Sequence, residues 1–246
     1  MTAETLGAAL LFVAIFLLGS RFTATRSPRA ALSLGAGVAT AYVFVHMLPE
    51  MDEAGRVFVA ETAHQDLPLP ELRVYSSALA GFVLFYGLEH LVAWSREQAP
   101  RDAADEGREG AMSPIFFMHV GGFAAYVWLV CYLMVRGITE TPVPVAMYAA
   151  AMGLHFLGVD HSLIREHGAA YHRAGKYILA AAALAGWACA ALPAISKPIL
   201  ITGLGLVSGG VVMNSMIMEL PRDKDGRFVP FLIGAAAYAV VLALVR

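Results

Sequence analysis

Histidine and carboxylate side chains recur inside long apolar stretches of this sequence, where ionisable groups are energetically costly. A charge at the bilayer centre costs at least about 2.5–3.5 kcal/mol, so such groups usually face a bundle interior and have a function. Imidazole nitrogen and carboxylate oxygen are also ligands of zinc and similar divalent cations. The residues behind this metal-site hypothesis are His46, Glu50, Glu89, His90, His119, His155, Asp160, His161 and Glu219, with Asn214 as a further polar group.

The clearest pair lies in the stretch ATAYVFVHMLPEMDE, which ends an apolar run with His46, Pro49 and Glu50. His46 and Glu50 are spaced i, i+4, so both point to one face of a helix. Pro49 lies between them near the predicted helix end, where proline bends or terminates a last turn. We therefore expect the pair to form a polar site at the outer end of a membrane helix.

The stretch GLHFLGVDHSLIREH carries His155 and Asp160, which are five positions apart. They are about 140° apart around an ideal helix, so this stretch is not a single-helix chelate. It could supply one or two ligands to a site that neighbouring helices complete. Glu89, His90 and His119 are predicted at comparable or lower depth in the membrane and are the candidate neighbours.

A structural interpretation stays open for several of these residues. His90 and His119 could each satisfy a backbone carbonyl between helices rather than bind an ion. A second group lies close to the predicted membrane boundary, where an interfacial position needs no further role: His161, Glu166, His167 and His172.

The elements that position these side chains are predicted from composition and apolar run length. The chain has 246 residues, of which 59% are hydrophobic and 15% charged, against about 25% charged in an ordinary soluble domain. Apolar blocks of about 17–23 residues match the helix length that crosses a bilayer. We predict a single-domain, all-α integral membrane protein with eight transmembrane helices at 5–22, 31–50, 75–94, 114–135, 145–165, 175–192, 198–220 and 229–245.

Basic residues orient these predicted helices. Twelve of the 17 lysines and arginines fall in the loops on one side and five on the other. Because positive charge collects on the cytoplasmic side, both termini are predicted outside. The polar, alanine- and glycine-rich segment 96–113 is predicted to be a flexible cytoplasmic loop.

An internal similarity relates the second and seventh predicted helices. Gly35, Gly37 and Thr40 match Gly203, Gly205 and Ser208 without a gap, and the same register aligns His46 with Asn214. The two helices run in opposite directions in the predicted topology. Inverted repeats with sites at their interface are typical of secondary transporters, although two glycine-containing apolar helices can also resemble each other by chance.

In its layout and in the HMLPE motif, the chain resembles the ZIP family of divalent-metal transporters. His46, Leu48, Pro49 and Glu50 match that family's second-helix pattern. In the fifth helix only His155 matches the first histidine of the family signature, with Asp160 as a carboxylate substitute. In the fourth helix only His119 survives. The sequence therefore resembles a divergent member that lacks several family ligands.

The resemblance implies a 3+2+3 helix arrangement with an inverted repeat, ATP-independent transport and a homodimer. The leading hypothesis is a multi-pass importer of zinc or iron in the inner (cytoplasmic) membrane, with the metal as substrate and no catalytic cofactor. Its expected partners are membrane lipids and divalent metal ions, and no nucleic acid. The alternatives are an intramembrane zinc-dependent hydrolase, with three protein ligands and an open water position, and a non-transporting protein that retains the fold.

Overall fold

The computed structural model of the chain describes residues 2–23, 28–62, 72–98, 112–136, 145–193, 195–219 and 227–245, almost all of them helical and none in a strand. The α-helices are α1 (Ala3–Thr23), α2 (Pro28–Tyr42), α3 (Leu48–Thr62), α4 (Leu72–Glu97), α5 (Pro114–Arg136), α6 (Val145–Ala170), α7 (Lys176–Cys189), α8 (Lys197–Glu219) and α9 (Phe228–Val245). Two π-helical turns, Val43–Met47 and Tyr171–Gly175, join α2 to α3 and α6 to α7.

Within the described ranges, six helical segments are long and apolar enough to cross a membrane, as expected of a multi-pass membrane protein. They are Ala3–Arg21, Ala30–Val57, Leu72–Ser95, Pro114–Arg136, Lys197–Ser215 and Phe228–Val245. Which end of the bundle faces the cytoplasm stays a prediction. The predicted flexible loop, 96–113, lies mostly outside the described residues.

The described residues form seven continuous helical stretches, whereas eight transmembrane helices were predicted. The difference lies in α6 and α7, which belong to one stretch, 145–189, although the backbone is non-helical at Gly168 and the chain reverses there. Gly168 has a φ of 47°, a conformation that glycine adopts without steric cost. Asp160 of α6 lies against Gly19, whereas Trp187 of α7 donates a hydrogen bond to Thr5. The two helices therefore run past α1 in opposite directions.

The second predicted helix does not end at Glu50. It continues through the π-helical turn into α3 and ends at Thr62. Residues 51–62, which were predicted to lie in a loop, are therefore helical. Pro49 falls in the first turn of α3, where its missing N–H is tolerated. The Leu48 N–H bonds to the Val43 carbonyl, a spacing of five residues.

Close helix pairs build the bundle: α2 packs against α9, α4 against α8, α5 against α7, and α1 against both α6 and α7. Glycine makes two of these contacts close. A Cβ at Gly37 would overlap the Phe231 carbonyl of α9, and a Cβ at Gly81 would overlap the Leu206 carbonyl of α8. Small residues of this kind let membrane helices approach backbone to backbone.

Aromatic side chains fill the centre of the bundle between α1, α5 and α6. Phe156 packs on Phe12 with ring centroids 5.0 Å apart, and on Tyr126 at 6.2 Å. Tyr126 in turn contacts Phe85 of α4 at 5.2 Å. The ionisable side chains described below lie beside or around this aromatic core.

Candidate functional site

Three contacts define the register between α5 and α6. This register gives the order of the polar groups along the length of the two helices. The Tyr148 hydroxyl donates to the Val130 carbonyl at 3.0 Å. The Tyr126 hydroxyl lies 3.1 Å from His155 Nε2, and His119 contacts His167. The two helices are antiparallel, and positions 148 to 167 of α6 span about 28 Å at 1.5 Å per residue. That distance is close to the thickness of a hydrocarbon core.

His46 and Glu50 form the first polar pair, as their spacing predicted. His46 Nε2 lies 3.6 Å from Glu50 Oε2, and the two side chains are only 6% and 14% exposed. His46 belongs to the π-helical turn Val43–Met47, a kind of bulge that is frequent at functional sites. Tyr42 packs on the His46 ring at 5.0 Å and on Tyr148 at 5.8 Å, which puts the pair near the first turns of α6.

His155 lies deeper along α6 and is buried, with Tyr126 as its hydrogen-bond partner. Either the hydroxyl donates to an unprotonated Nε2 or the ring N–H donates to the hydroxyl. Asn214 belongs to the same region, because Gly210 lies against the Tyr126 ring and Asn214 follows one turn later on the same face of α8. Its amide nitrogen is buried and has no hydrogen-bond partner among the described residues.

Asp160 is buried beside α1 rather than beside His155. The Tyr171 hydroxyl donates to its Oδ1 at 2.6 Å, and its Oδ2 lies against Gly19. The structure therefore does not bring His155 and Asp160 together: one faces α5 and the other faces α1. The separation of about 140° that an ideal helix gives to positions five apart accounts for these different directions.

The third polar group joins three helices at the end of the bundle where α5 begins. His119 Nε2 lies 3.3 Å from Glu89 Oε1 of α4, and His119 Nδ1 lies 2.8 Å from His167 Nε2 of α6. His119 is fully buried and Glu89 is 18% exposed. Sequence reasoning included Glu89 and His119 among the metal residues but interpreted His167 as interfacial.

Among the described side chains, the remaining predicted metal residues His90 and His161 make no hydrogen bond or ion pair with these groups. His90 is exposed and stacks on Tyr86 with ring centroids 6.1 Å apart. His161 is half-buried on α6. Glu219 ends α8, and its side chain lies outside the described residues.

The predicted metal residues whose contacts are described above thus lie in separate groups of two or three side chains, not in a shared centre. Across the described ranges, no three or more histidine, cysteine, aspartate or glutamate side chains are grouped so that they could hold a metal ion. Each contact described above holds at most two of the predicted ligands around one point. A metal site that uses more of them requires side-chain movement.

Sequence reasoning missed three partners: Tyr126, Tyr171 and His167. Tyr126 is seven residues, or about two turns, after His119, so helical periodicity could have included it on the same face. Tyr171 follows a chain reversal at Gly168 that hydropathy does not reveal. His167 contacts His119 because α5 passes α6 at the same depth.

Scans of this chain against protein-family models and curated proteins found no match.

Proposed function

We propose that this protein transports divalent metal cations, zinc or iron, across the inner (cytoplasmic) membrane without ATP, by alternating access within the helix bundle. Buried and half-buried ionisable side chains recur on α6 and on the helices beside it, and this observation carries the proposal. In order they are His46–Glu50 near Tyr148, His155 with Tyr126, and His167 with His119 and Glu89. They span about 28 Å, which is enough to lead an ion across the apolar layer.

Sites of two ligands suit an ion that must leave as well as enter. Conduction requires binding that is favourable enough for entry but weak, or divided among several sites, so that the ion can leave. A closed four-ligand cage would hold zinc as a structural ion instead. The separate groups along α6 are therefore consistent with a route, with the metal as substrate rather than resident cofactor.

An inverted repeat would supply the two conformations that alternating access needs. Suppose that α1, α2 and α4 correspond to α7, α8 and α9, and that α5 corresponds to α6. The repeat then relates the helix pair α2–α9 to the pair α8–α4. It also relates the pair α1–α6 to the pair α7–α5. All four pairs are among the main contacts of the bundle. Gly37 packs on α9 and its sequence match, Gly205, packs on α4. This exchange supports a 3+2+3 arrangement in which one bundle moves against another.

The buried His155 on α6 can be tested by uptake into proteoliposomes of the purified full chain. We expect zinc, iron, manganese or cobalt to enter faster than into empty vesicles. We also expect His155→Ala to lower the rate at least tenfold. His172→Ala is the matched control, because it removes the same residue type from an exposed position and should leave uptake unchanged.

Two results would contradict the transport proposal. One is wild-type uptake equal to that of empty vesicles for all four metals. The other is equal loss of uptake in His155→Ala and His172→Ala, which would indicate a general effect on folding. The hydrolase hypothesis is not favoured by any specific contact, because a catalytic zinc needs three protein ligands around one point.

A further inference from the structure

The hydrogen-bonded chain Glu89–His119–His167 has the connectivity of a transition-metal site without its ion. We propose that His119 Nδ1 and His167 Nε2 bind one zinc-like divalent cation, with Glu89 as the carboxylate that orients His119. The role of this site in transport rests on the proposed function. Its binding of a cation can be measured in the absence of transport.

The geometry of His119 is the first argument. Its two ring nitrogens have different neighbours: Nε2 lies 3.3 Å from a Glu89 carboxylate oxygen, and Nδ1 lies 2.8 Å from His167 Nε2. In the tautomer in which the Nε2–H of His119 donates to the Glu89 carboxylate, the His167 Nε2–H donates to His119 Nδ1. Nδ1 then presents a lone pair toward His167. Metal-binding histidines commonly donate their other ring N–H to a carboxylate in this way.

The separation of the two facing nitrogens is the second argument. Zinc binds imidazole nitrogen at about 2.0–2.1 Å, so two such ligands at a tetrahedral angle are about 3.4 Å apart. The present 2.8 Å therefore requires an opening of roughly half an ångström. His167 lies near the end of α6, one residue before Gly168 with its positive φ, where a small adjustment does not break a continuing α-helix.

The surroundings of the pair select the class of ion. Phe116 packs edge-on against His167 at 5.2 Å, and Phe123 packs against His119 at 5.2 Å, so the two rings are held between apolar walls. Two imidazoles favour zinc, cobalt, nickel or copper, whereas magnesium and calcium prefer oxygen ligands. Glu89 lies on the far side of the His119 ring and does not complete an oxygen-rich site.

The experiment is a zinc titration of the full chain in detergent by calorimetry, followed by the visible spectrum of bound cobalt. We expect His167→Gln to remove one bound zinc per chain and to change the cobalt spectrum. Glu89→Ala should weaken that site by about 10–100-fold, and Glu89→Gln, which keeps an acceptor oxygen, should weaken it less. Magnesium should not compete.

Matched controls lie close by in the chain. His172→Gln and His90→Gln change exposed histidines near His167 and next to Glu89, and both should keep the wild-type zinc stoichiometry. If His119→Gln does not fold because its ring is fully buried, His167→Gln tests the site alone. Unchanged zinc affinity and stoichiometry in His167→Gln would overturn the inference, as would effective competition by magnesium.

The outcomes separate this inference from the proposed function. Zinc bound at this pair without uptake into vesicles would support the site and contradict transport. Uptake with no loss of bound zinc in His167→Gln would support transport and overturn the site.

Discussion

Asp160 is a buried carboxylate whose two oxygens have different surroundings. Oδ1 accepts a 2.6 Å hydrogen bond from the Tyr171 hydroxyl, whereas Oδ2 is buried and has no hydrogen-bond partner among the described residues. Burying a polar group without a hydrogen bond is costly. Tyr171 therefore supplies a donor that the fold needs at this position, in addition to its own packing as a buried ring.

Removal of that donor should destabilise the protein measurably. Tyr171→Phe keeps the ring but leaves Asp160 without its donor, so we expect a loss of about 1–3 kcal/mol in unfolding free energy. The measurement is the free energy of reversible unfolding of the detergent-solubilised chain, or its thermal unfolding temperature. Tyr177→Phe is the control, since Tyr177 is 55% exposed; equal effects of the two substitutions would contradict the assigned bond.

At this scale the sequence predicted residue types better than partners. The His46–Glu50 contact follows from i, i+4 spacing within one helix. The partners of His155, Asp160 and His119 depend on the relative depth of separate helices, which hydropathy gives only within several residues. Their pairing with tyrosine and histidine could not be read from the sequence for that reason.

Among the helices, the π-helical turn that carries His46 has a local cause. Pro49 cannot donate a backbone hydrogen bond, so a regular α-helix through this position would leave the Val45 carbonyl unpaired. The π-helical turn Val43–Met47 accommodates the irregularity, since π-bulges are one recognised origin of helix bends. His46 therefore lies on irregular backbone within the bundle rather than at a helix end.

Close packing of α4 on α8 predicts a contrast between two glycines of the same helix. Gly81→Ala should destabilise the chain by about 1–3 kcal/mol through overpacking, because the new methyl group would overlap the Leu206 carbonyl. Gly87 has no atom near its Cβ position, so Gly87→Ala should be neutral or stabilise by up to about 1 kcal/mol. Thermal unfolding of both variants in one detergent checks this.

A ranking in which Gly87→Ala is the more harmful change would contradict the described α4–α8 contact. A second helix pair gives an independent check, because Gly37 makes a similarly close approach of α2 to the Phe231 carbonyl of α9. Gly37→Ala should behave like Gly81→Ala.

The location of most helices was predictable, but their interruptions and joins were not. Apolar run length gave the positions of α1, α4, α5, α8 and α9 to within a few residues. The reversal at Gly168 and the continuation past Pro49 depend on backbone conformation, which leaves little trace in hydropathy. The inverted repeat stays a prediction that the helix pairs support.

For the molecule as a whole, the outward faces of α4 and α9 are apolar, as contact with lipid requires. Leu79 is 64% exposed, Leu84 is 61% exposed and Leu244 is 80% exposed. Exposed leucines at this density would promote aggregation in water, whereas lipid tails solvate them. The homodimer that the resemblance implies would cover part of such a surface and stays a prediction.

A charge on this lipid-facing surface should impair membrane insertion. Leu84 lies near the middle of the segment Leu72–Ser95, so Leu84→Arg should cost about 2.5–3.5 kcal/mol of insertion free energy. We expect a lower fraction of the protein in alkali-washed membranes. Leu84→Phe should insert like wild type, and normal insertion of the arginine variant would indicate that this face of α4 is not against lipid.

The central claim is that an ion crosses the bundle along the buried polar groups beside α6. The most direct measurement is the initial rate of zinc uptake by vesicles of the wild-type chain, over a range of external zinc concentrations. Because the protein has a limited number of binding sites, we expect the uptake rate to saturate with zinc concentration and to exceed that of empty vesicles. A rate that rises linearly, or that equals the leak of empty vesicles at every concentration, would contradict the account.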